Sequence, residues 1–305
     1  MAENATTDPD PFATLGNELR LRIIEALHDR TESLAPDAGL SYTTLRTAVD
    51  VDDKGKFNYH LDLLRDQFIR KTDAGYRLTF AGVEVATTIQ IGVWEDPPNR
   101  DPVEVDSASP LVDGDPLYAS YKDGLVRVHK RDGVPIFQIA VRPVGAETQT
   151  MSELVDVMAT LHEEAITQAH GGICPYCQSQ PERSLVDTTE VEPEGGCSDD
   201  EPVTDATTSP WRHCFVATCP ECGPLFRVPA GAGIVQHPAV VSWYWDRGVD
   251  LRDIRLWELE LFGDDAVSTA SPSGSVALRL QIDRDNATLE LDLANDTTVI
   301  RVNRA

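Results

Sequence analysis

From Phe12 onward apolar residues recur at three- and four-residue steps. Phe12, Leu15, Leu19, Ile23 and Leu27 line one face of a helix, while Arg20, Arg22 and Glu25 point away. The polar stretch before it, residues 1–11, is rich in Pro and Asp and reads as a disordered arm. After a loop with Pro36 and Gly39, Ser41 caps a short helix over 43–49. An acidic turn at 50–53 leads into a longer helix over residues 54–67, with Phe57, Leu61, Leu64 and Phe68 as its buried stripe. The period then changes. Residues 68–72 and 76–79 are short runs joined by Asp73-Ala74-Gly75, a hairpin signal, and Thr79 caps a further helix that ends near residue 91. These elements make one domain, residues 12–95.

Residues 96–116 hold Pro97, Pro98, Pro102, Pro110 and Pro116 among acids and keep no period, which predicts a linker. A second domain follows over 117–305. Lys122-Asp123-Gly124 and Arg131-Asp132-Gly133 punctuate apolar runs at 125–129 and 136–141, the pattern of an antiparallel meander. Thr150 and Glu153 form a capping box, and Leu154, Met158, Leu161 and Ala165 mark a helix that stops at Gly171-Gly172. An acidic, Ser/Thr/Pro-rich insertion occupies 187–210. Residues 211–218 and 225–228 are strand-like. The runs at 257–262, 276–282, 289–293 and 299–302 predict another antiparallel sheet, with no internal repeat. The fold class expected is α+β: three helices, a hairpin and a helix, then a mixed antiparallel-sheet and helix domain.

Charge changes the picture of what such a protein can touch. With 26 Lys and Arg against 51 Asp and Glu in 305 residues the net charge is -25, spread over the chain. A dense carboxylate surface keeps a protein hydrated in molar salt, where the Debye length falls to about 3 Å, so a salt-accumulating cytoplasm fits better than an ordinary one. Such a chain repels nucleic acid except where a local face reverses the sign. Residues 54–77 are that exception, holding Lys54, Lys56, Arg65, Arg70, Lys71 and Arg77 against Asp62, Asp66 and Asp73. No apolar run reaches the roughly 18 residues needed to cross a bilayer, and no apolar leader follows the start, so a cytoplasmic protein without a membrane partner is expected.

The order helix, helix, helix, hairpin, helix is that of a winged helix-turn-helix domain. Three blocks carry a more specific likeness: Gly16-Asn17-Glu18-Leu19-Arg20-Leu21-Arg22-Ile23, Gly55-Lys56-Phe57-Asn58-Tyr59-His60-Leu61, and Tyr76-Arg77-Leu78-Thr79-Phe80-Ala81-Gly82. The chain over residues 12–91 resembles an ArsR-type winged-helix regulator, its haloarchaeal branch above all. The resemblance implies a homodimer on double-stranded DNA, with the helix from Lys54 in the major groove and the Asp73-Ala74-Gly75 wing beside the backbone. The candidate DNA-binding residues are then Ser41, Thr43, Thr44, Lys54, Lys56, Asn58, Tyr59, Arg65, Lys71 and Arg77, with Asn58 suited to an adenine edge and the bases to phosphates. The thiol sensor that such regulators often carry is missing, since no Cys precedes Cys174.

All six cysteines lie between Cys174 and Cys222, so they serve one local purpose. Cys174-Pro-Tyr-Cys177 and Cys219-Pro-Glu-Cys222-Gly223 are two C-x-x-C knuckles. Each tight turn aims two thiolates at one point, and two knuckles complete the tetrahedron that Zn²⁺ accepts at about 2.3 Å per sulfur. The gap exceeds that of a compact zinc ribbon, and Gln178 stands where Gly is usual after the first knuckle. A ribbon-like insertion forms if the acidic stretch loops out. Four thiolates leave no open coordination position, so the zinc is structural. Cys197, Cys214, His213 and His170 lie nearby as alternative ligands.

No nucleotide loop, G-x-S-x-G, H-E-x-x-H or argued carboxylate pair is present, so no enzyme activity is expected. Two functions of different class remain. The first is a DNA-binding regulator whose second domain senses a small ligand or assembles with a protein partner. The alternative is an adaptor of the transcription machinery that docks its winged helix on protein. Trp243, Tyr244, Trp245 and Trp257 either line a ligand pocket or, as is commoner for such clusters, form core.

Overall fold

The computed structural model describes residues 10–30, 39–95, 98–107, 109–110, 114–133, 135–189, 211–269 and 276–305. It is a mixed α+β protein with several small antiparallel sheets. The chain divides into two compact units, residues 1–96 with 142–144, and residues 97–141 with 145–305. Among the described residues no helix is long and apolar enough to cross a membrane.

The first unit runs α1 (Pro11–Leu15), α2 (Glu18–Arg30), α3 (Tyr42–Ala48), α4 (Lys54–Leu64), β1 (Ile69–Thr72), β2 (Gly75–Leu78) and α5 (Phe80–Gln90). Leu19, Ile23, Ile24 and Leu27 of α2 pack with Leu45, Phe57, Leu61, Leu64, Phe68, Ile69, Leu78 and Ala86 in one core. Tyr42 of α3 meets Phe57 of α4 edge-on, their ring centroids 5.2 Å apart. The hairpin pairs Ile69 with Leu78, Arg70 with Arg77 and Lys71 with Tyr76. Leu40 adds a bridge to its free edge through two backbone hydrogen bonds with Tyr76, 2.9 and 2.8 Å.

Three expectations for this unit need correction. The single helix from Phe12 is two helices, because Gly16 and Asn17 are poor helix formers and the Asn17 side chain accepts from the Leu19 amide at 3.1 Å, starting a new helix there. Phe12 is consequently outside the core, 80% exposed. The longer helix stops at Leu64 and not at residue 67, since Arg65 turns extended and Asp66 is left-handed at φ 69°. Asp10 caps α1, so the polar arm ends one residue earlier than expected; residues 1–9 lie outside the described residues.

In the second unit β3 (Arg100–Val105), β4 (Leu117–Lys122), β5 (Leu125–His129) and β6 (Pro135–Ala140) form an antiparallel meander. After α6 (Pro143–Thr148), the long helix α7 (Met151–His170) packs on that sheet. The capping box starts α7: the Thr150 amide donates to Glu153 Oε2 at 2.7 Å, and the Glu153 amide to Thr150 Oγ1 at 3.3 Å. A three-stranded sheet follows, β7 (Glu182–Asp187), β8 (His213–Cys219) and β9 (Gly223–Pro229), then α8 (Pro238–Trp245) and several short 3-10 turns. The C-terminal sheet is β10 (Val267–Thr269), β11 (Leu278–Arg284), β12 (Ala287–Leu293) and β13 (Val299–Arg304). One hydrophobic core runs through all three sheets.

The predicted linker at 96–116 contains β3, paired with β4. Pro102 is accommodated because β3 is an edge strand and its register shifts between Arg100 and Val103, where no ladder amide is needed. The Arg100 guanidinium ties this strand to the Gln149 carbonyl, 2.6 Å, and to that of Ala146. Residues 257–262 are 3-10 turns (Leu256–Glu258, Glu260–Phe262) and not a strand. Adjacent pairs, Leu256 with Trp257 and Leu261 with Phe262, are all buried, which alternation along a one-sided strand does not permit. On α7 the buried stripe takes His162 instead of Leu161, which is 36% exposed. Burial holds the His162 imidazole pKa down, and its Nδ1 lies 3.1 Å from the Met158 carbonyl. The aromatic residues 243, 244 and 257 are core, each at most 1% exposed, while Trp245 is 62% exposed. Residues 190–210 of the acidic insertion, with Cys197, lie outside the described residues.

Candidate functional site

The two knuckles meet at one end of the three-stranded sheet. The first is the turn between α7 and β7, closed by Gln178 donating to the Cys174 carbonyl at 3.0 Å and by Cys174 donating to that of Ser179 at 2.8 Å. The second joins β8 to β9, which pair up to Cys219 and Gly223. Cys174 Sγ lies 3.5 Å from Cys222 Sγ, Cys177 Sγ lies 3.5 Å from Cys219 Sγ, and all four sulfurs fall within 4.8 Å of one another. A tetrahedron with sulfurs at about 2.3 Å from a central ion has edges of about 3.8 Å, so this spacing fits a shared metal ion. Cys174 and Cys219 are buried, Cys177 and Cys222 exposed.

Both knuckles close through a left-handed residue, Gln178 at φ 61° and Gly223 at φ 94°. Gln178 offsets part of the strain by donating from Nε2 to the Tyr176 carbonyl at 3.0 Å. No motif singles out Ser179, yet its Oγ lies 3.0 Å from Cys219 Sγ and 3.1 Å from Cys177 Sγ. That hydroxyl is the largest influence holding the Cys219 thiol down to about 6, against burial, with backbone amides of Cys222 and Glu221 assisting. At Cys174 burial pushes upward, but amides of Cys177 and Tyr176 prevail and the thiol is lowered. Burial and the neighbouring sulfurs hold Cys222 well above the ordinary range. Without a cation, the four sulfurs resist ionising together; a divalent ion removes that conflict.

The alternative ligands are elsewhere. At the far end of β8 His213 Nε2 faces Asp187 Oδ2 at 3.5 Å, and the buried Cys214 thiol points to the Trp211 carbonyl at 3.7 Å. His170 ends α7, its carbonyl taken by Arg183. Among the described residues the four-sulfur group is the one set of three or more potential ligands gathered around a point.

In the first unit the ten residues expected at DNA lie on or next to α3, α4 and the β1–β2 hairpin. Ser41 caps α3, its Oγ accepting from the Thr44 amide at 3.1 Å and lying 2.8 Å from Thr44 Oγ1, so both hydroxyls are engaged locally; Thr43 is exposed. Asp53 caps α4 by accepting from Gly55 and Lys56 amides at 2.7 and 3.0 Å. Lys54, Lys56, Asn58 and Tyr59 are exposed on α4, opposite or beside the stripe of Phe57, Leu61 and Leu64. Arg65 is engaged with Asp62 at 3.2 Å, an exposed pair that weakens its pull on phosphate. Lys71 Nζ lies 5.9 Å from the Tyr76 ring centroid, and half-buried Arg77 stands directly across the hairpin from exposed Arg70. Like charges placed opposite one another are unfavourable without a counter-ion, and among the described residues no ion pair supplies an acid to either.

Residues 113–299 match the family described as a domain of unknown function, DUF7351, and residues 9–89 match a second domain of unknown function, DUF7347. No curated protein matches the chain.

Proposed function

The chain belongs to the DUF7351 family, and from the helices and hairpin ahead of the matched region we propose that it is a DNA-binding transcription regulator with an ArsR-like winged helix. In this reading α3 and α4 are the helix-turn-helix, α4 enters the major groove of double-stranded DNA, and the β1–β2 hairpin is the wing. The observation that carries it is the basic face of α4 and the hairpin in a chain of net charge -25, where Arg70 and Arg77 face each other across the ladder. A polyanion is the natural counter-ion for that arrangement. The second unit holds a structural Zn²⁺ on Cys174, Cys177, Cys219 and Cys222 in a ribbon-like sheet and serves as the sensor or assembly region. The acidic surface suits a haloarchaeal cytoplasm.

Titration of the full chain against operator and scrambled duplexes over a range of KCl concentrations tests the reading. Asn58→Ala and Tyr59→Ala should relax sequence preference at about 1–3 kcal/mol each, whereas Lys56→Ala should weaken all sequences alike. With few phosphates neutralised per subunit, the loss with salt should be shallower than the roughly 10³–10⁵ seen for basic regulators between about 50 and 200 mM. A chain that retains no duplex, while it holds a component of the transcription machinery, belongs to the adaptor class instead.

A further inference from the structure

α2 packs against α4, and near that contact Arg20 and Lys56 act on His60, with no acid paired to any of the three among the described residues. Arg20 of α2 is half-buried; its Nη2 donates to the Ala13 carbonyl at 3.5 Å, and its Nε is buried without a hydrogen-bond partner. His60 of α4 is also half-buried, with Nδ1 buried and unpartnered, and its ring meets that of Tyr59 edge-on at 5.1 Å. Lys56 precedes His60 by one helical turn and is exposed. Among the described residues no ion pair engages Arg20, Lys56 or His60. The charged groups that act on His60 are Arg20 from α2 and Lys56 from its own helix, both cationic. Two half-buried bases with an orphaned buried nitrogen each, beside an exposed third, form a site suited to an anion that the described residues do not supply.

We infer that Arg20, Lys56 and His60 form a seat for one phosphodiester group of a DNA backbone, on the flank of α4 that faces α2. This rests on the reading of α4 as the DNA-contacting helix and adds α2 to the interface. At 100° per residue Lys56 and His60 lie on one side of the Phe57–Leu61–Leu64 stripe, and Asn58 on the other. One strand's phosphate is then held on the α2 flank while Asn58 stands towards the opposite side. The arrival of a phosphate also changes His60. In the free protein burial, then Arg20 and Lys56, favour its neutral form. A phosphate offsets the two cations and gives the imidazolium a partner, so binding takes up a proton from solvent. Affinity therefore rises as pH falls.

A backbone seat is blind to sequence, so a labelled generic duplex serves as probe for the full chain, by fluorescence anisotropy from pH 8 down to pH 6 at fixed KCl. The wild type should tighten several-fold over this range, below the limit of about tenfold per pH unit for one proton. His60→Gln should abolish the pH dependence, and Arg20→Gln should weaken binding and lower the salt slope by about one. Circular dichroism melts of both variants guard against misfolding. If the wild type binds duplex with a flat pH profile, or His60→Gln keeps the slope, the seat is wrong while the DNA reading stands. If no duplex is held at any pH, the DNA reading itself has failed and the seat falls with it.

Discussion

The carbonyl oxygen of Phe68 occupies the space a side chain at residue 82 would need: a Cβ on Gly82 would lie 2.2 Å from it. That carbonyl also accepts from the Thr79 amide at 2.9 Å, and the Thr79 hydroxyl donates to the Gln67 carbonyl at 2.7 Å while accepting from Gly82 at 3.1 Å. The start of α5 is thus locked onto the chain entering the hairpin. Gly82→Ala should destabilise the first unit by about 1–3 kcal/mol, the usual range for forced overpacking, despite the better helix propensity of Ala. Urea denaturation followed by circular dichroism measures it; an unchanged midpoint would contradict the close approach.

Metal analysis of protein purified without chelator should return close to one zinc per chain, and Cys174→Ser should lose it together with order in the β7–β9 sheet, seen as faster amide exchange. Gln178→Gly, by contrast, should hold metal at least as firmly, since it removes a left-handed side chain worth about 1 kcal/mol of strain. A metal content near zero in the wild type sinks the assignment.

The C-terminal sheet should show a carboxylate's acid dependence. Asp292, 3% exposed, takes Arg279 on two hydrogen bonds, 2.7 and 3.2 Å, and has Arg301 at 3.7 Å on its other side. The Arg279 hydrogen bonds are the chief cause that holds the Asp292 carboxyl below its ordinary value. A lowered folded-state pKa contributes stability that is complete above the unfolded value, near 3.9, and lost as pH falls through the folded one. Asp292→Asn should therefore cost roughly 2 kcal/mol at neutral pH, discounted because Arg279 is partly exposed, and the gap to wild type should close below about pH 4. A gap that persists into acid would point to packing instead of charge.

Phe12, Phe80 and Trp94 of the first unit are large apolar side chains left 80%, 74% and 70% exposed. They lie on or beside α1 and α5, which would form the seam if the chain is the homodimer that the winged-helix proposal implies. Sedimentation in high salt should give a dimer, and Phe80→Glu should shift it to monomer. A wild type that stays monomeric at micromolar concentration rejects the seam.

Much of the architecture was readable where local chemistry acts alone. Thr150 and Glu153 announce α7, Asp123-Gly124 the turn between β4 and β5, and the two C-x-x-C spacings the sulfur cluster. What escaped depends on residues distant in sequence. His162 is in the core because Phe137, its ring centroid 5.6 Å away, comes from β6 to meet it, and nothing around residue 162 says so. β3 hides among prolines because its edge position tolerates them. The Ser179 hydroxyl becomes part of the cysteine site only when Cys219, forty residues on, arrives beside it. Gly16-Asn17 was legible as a break, and the apolar spacing on either side masked it.

The pairing of β7 with β8 runs from Glu182 with Thr218 to Asp187 with His213, and just beyond it the Thr188 amide donates to the Arg212 carbonyl at 2.8 Å. The two ends of the acidic segment are therefore stitched at the far end of the sheet from the sulfurs. The loop-closure cost of joining these stitched ends grows by about 0.6 kcal/mol for each doubling of the chain between them. The flanks of that segment thus meet each other at one end of β7 and β8, while the sulfurs are gathered at the other, so the metal site is tied to the segment only through the two paired strands.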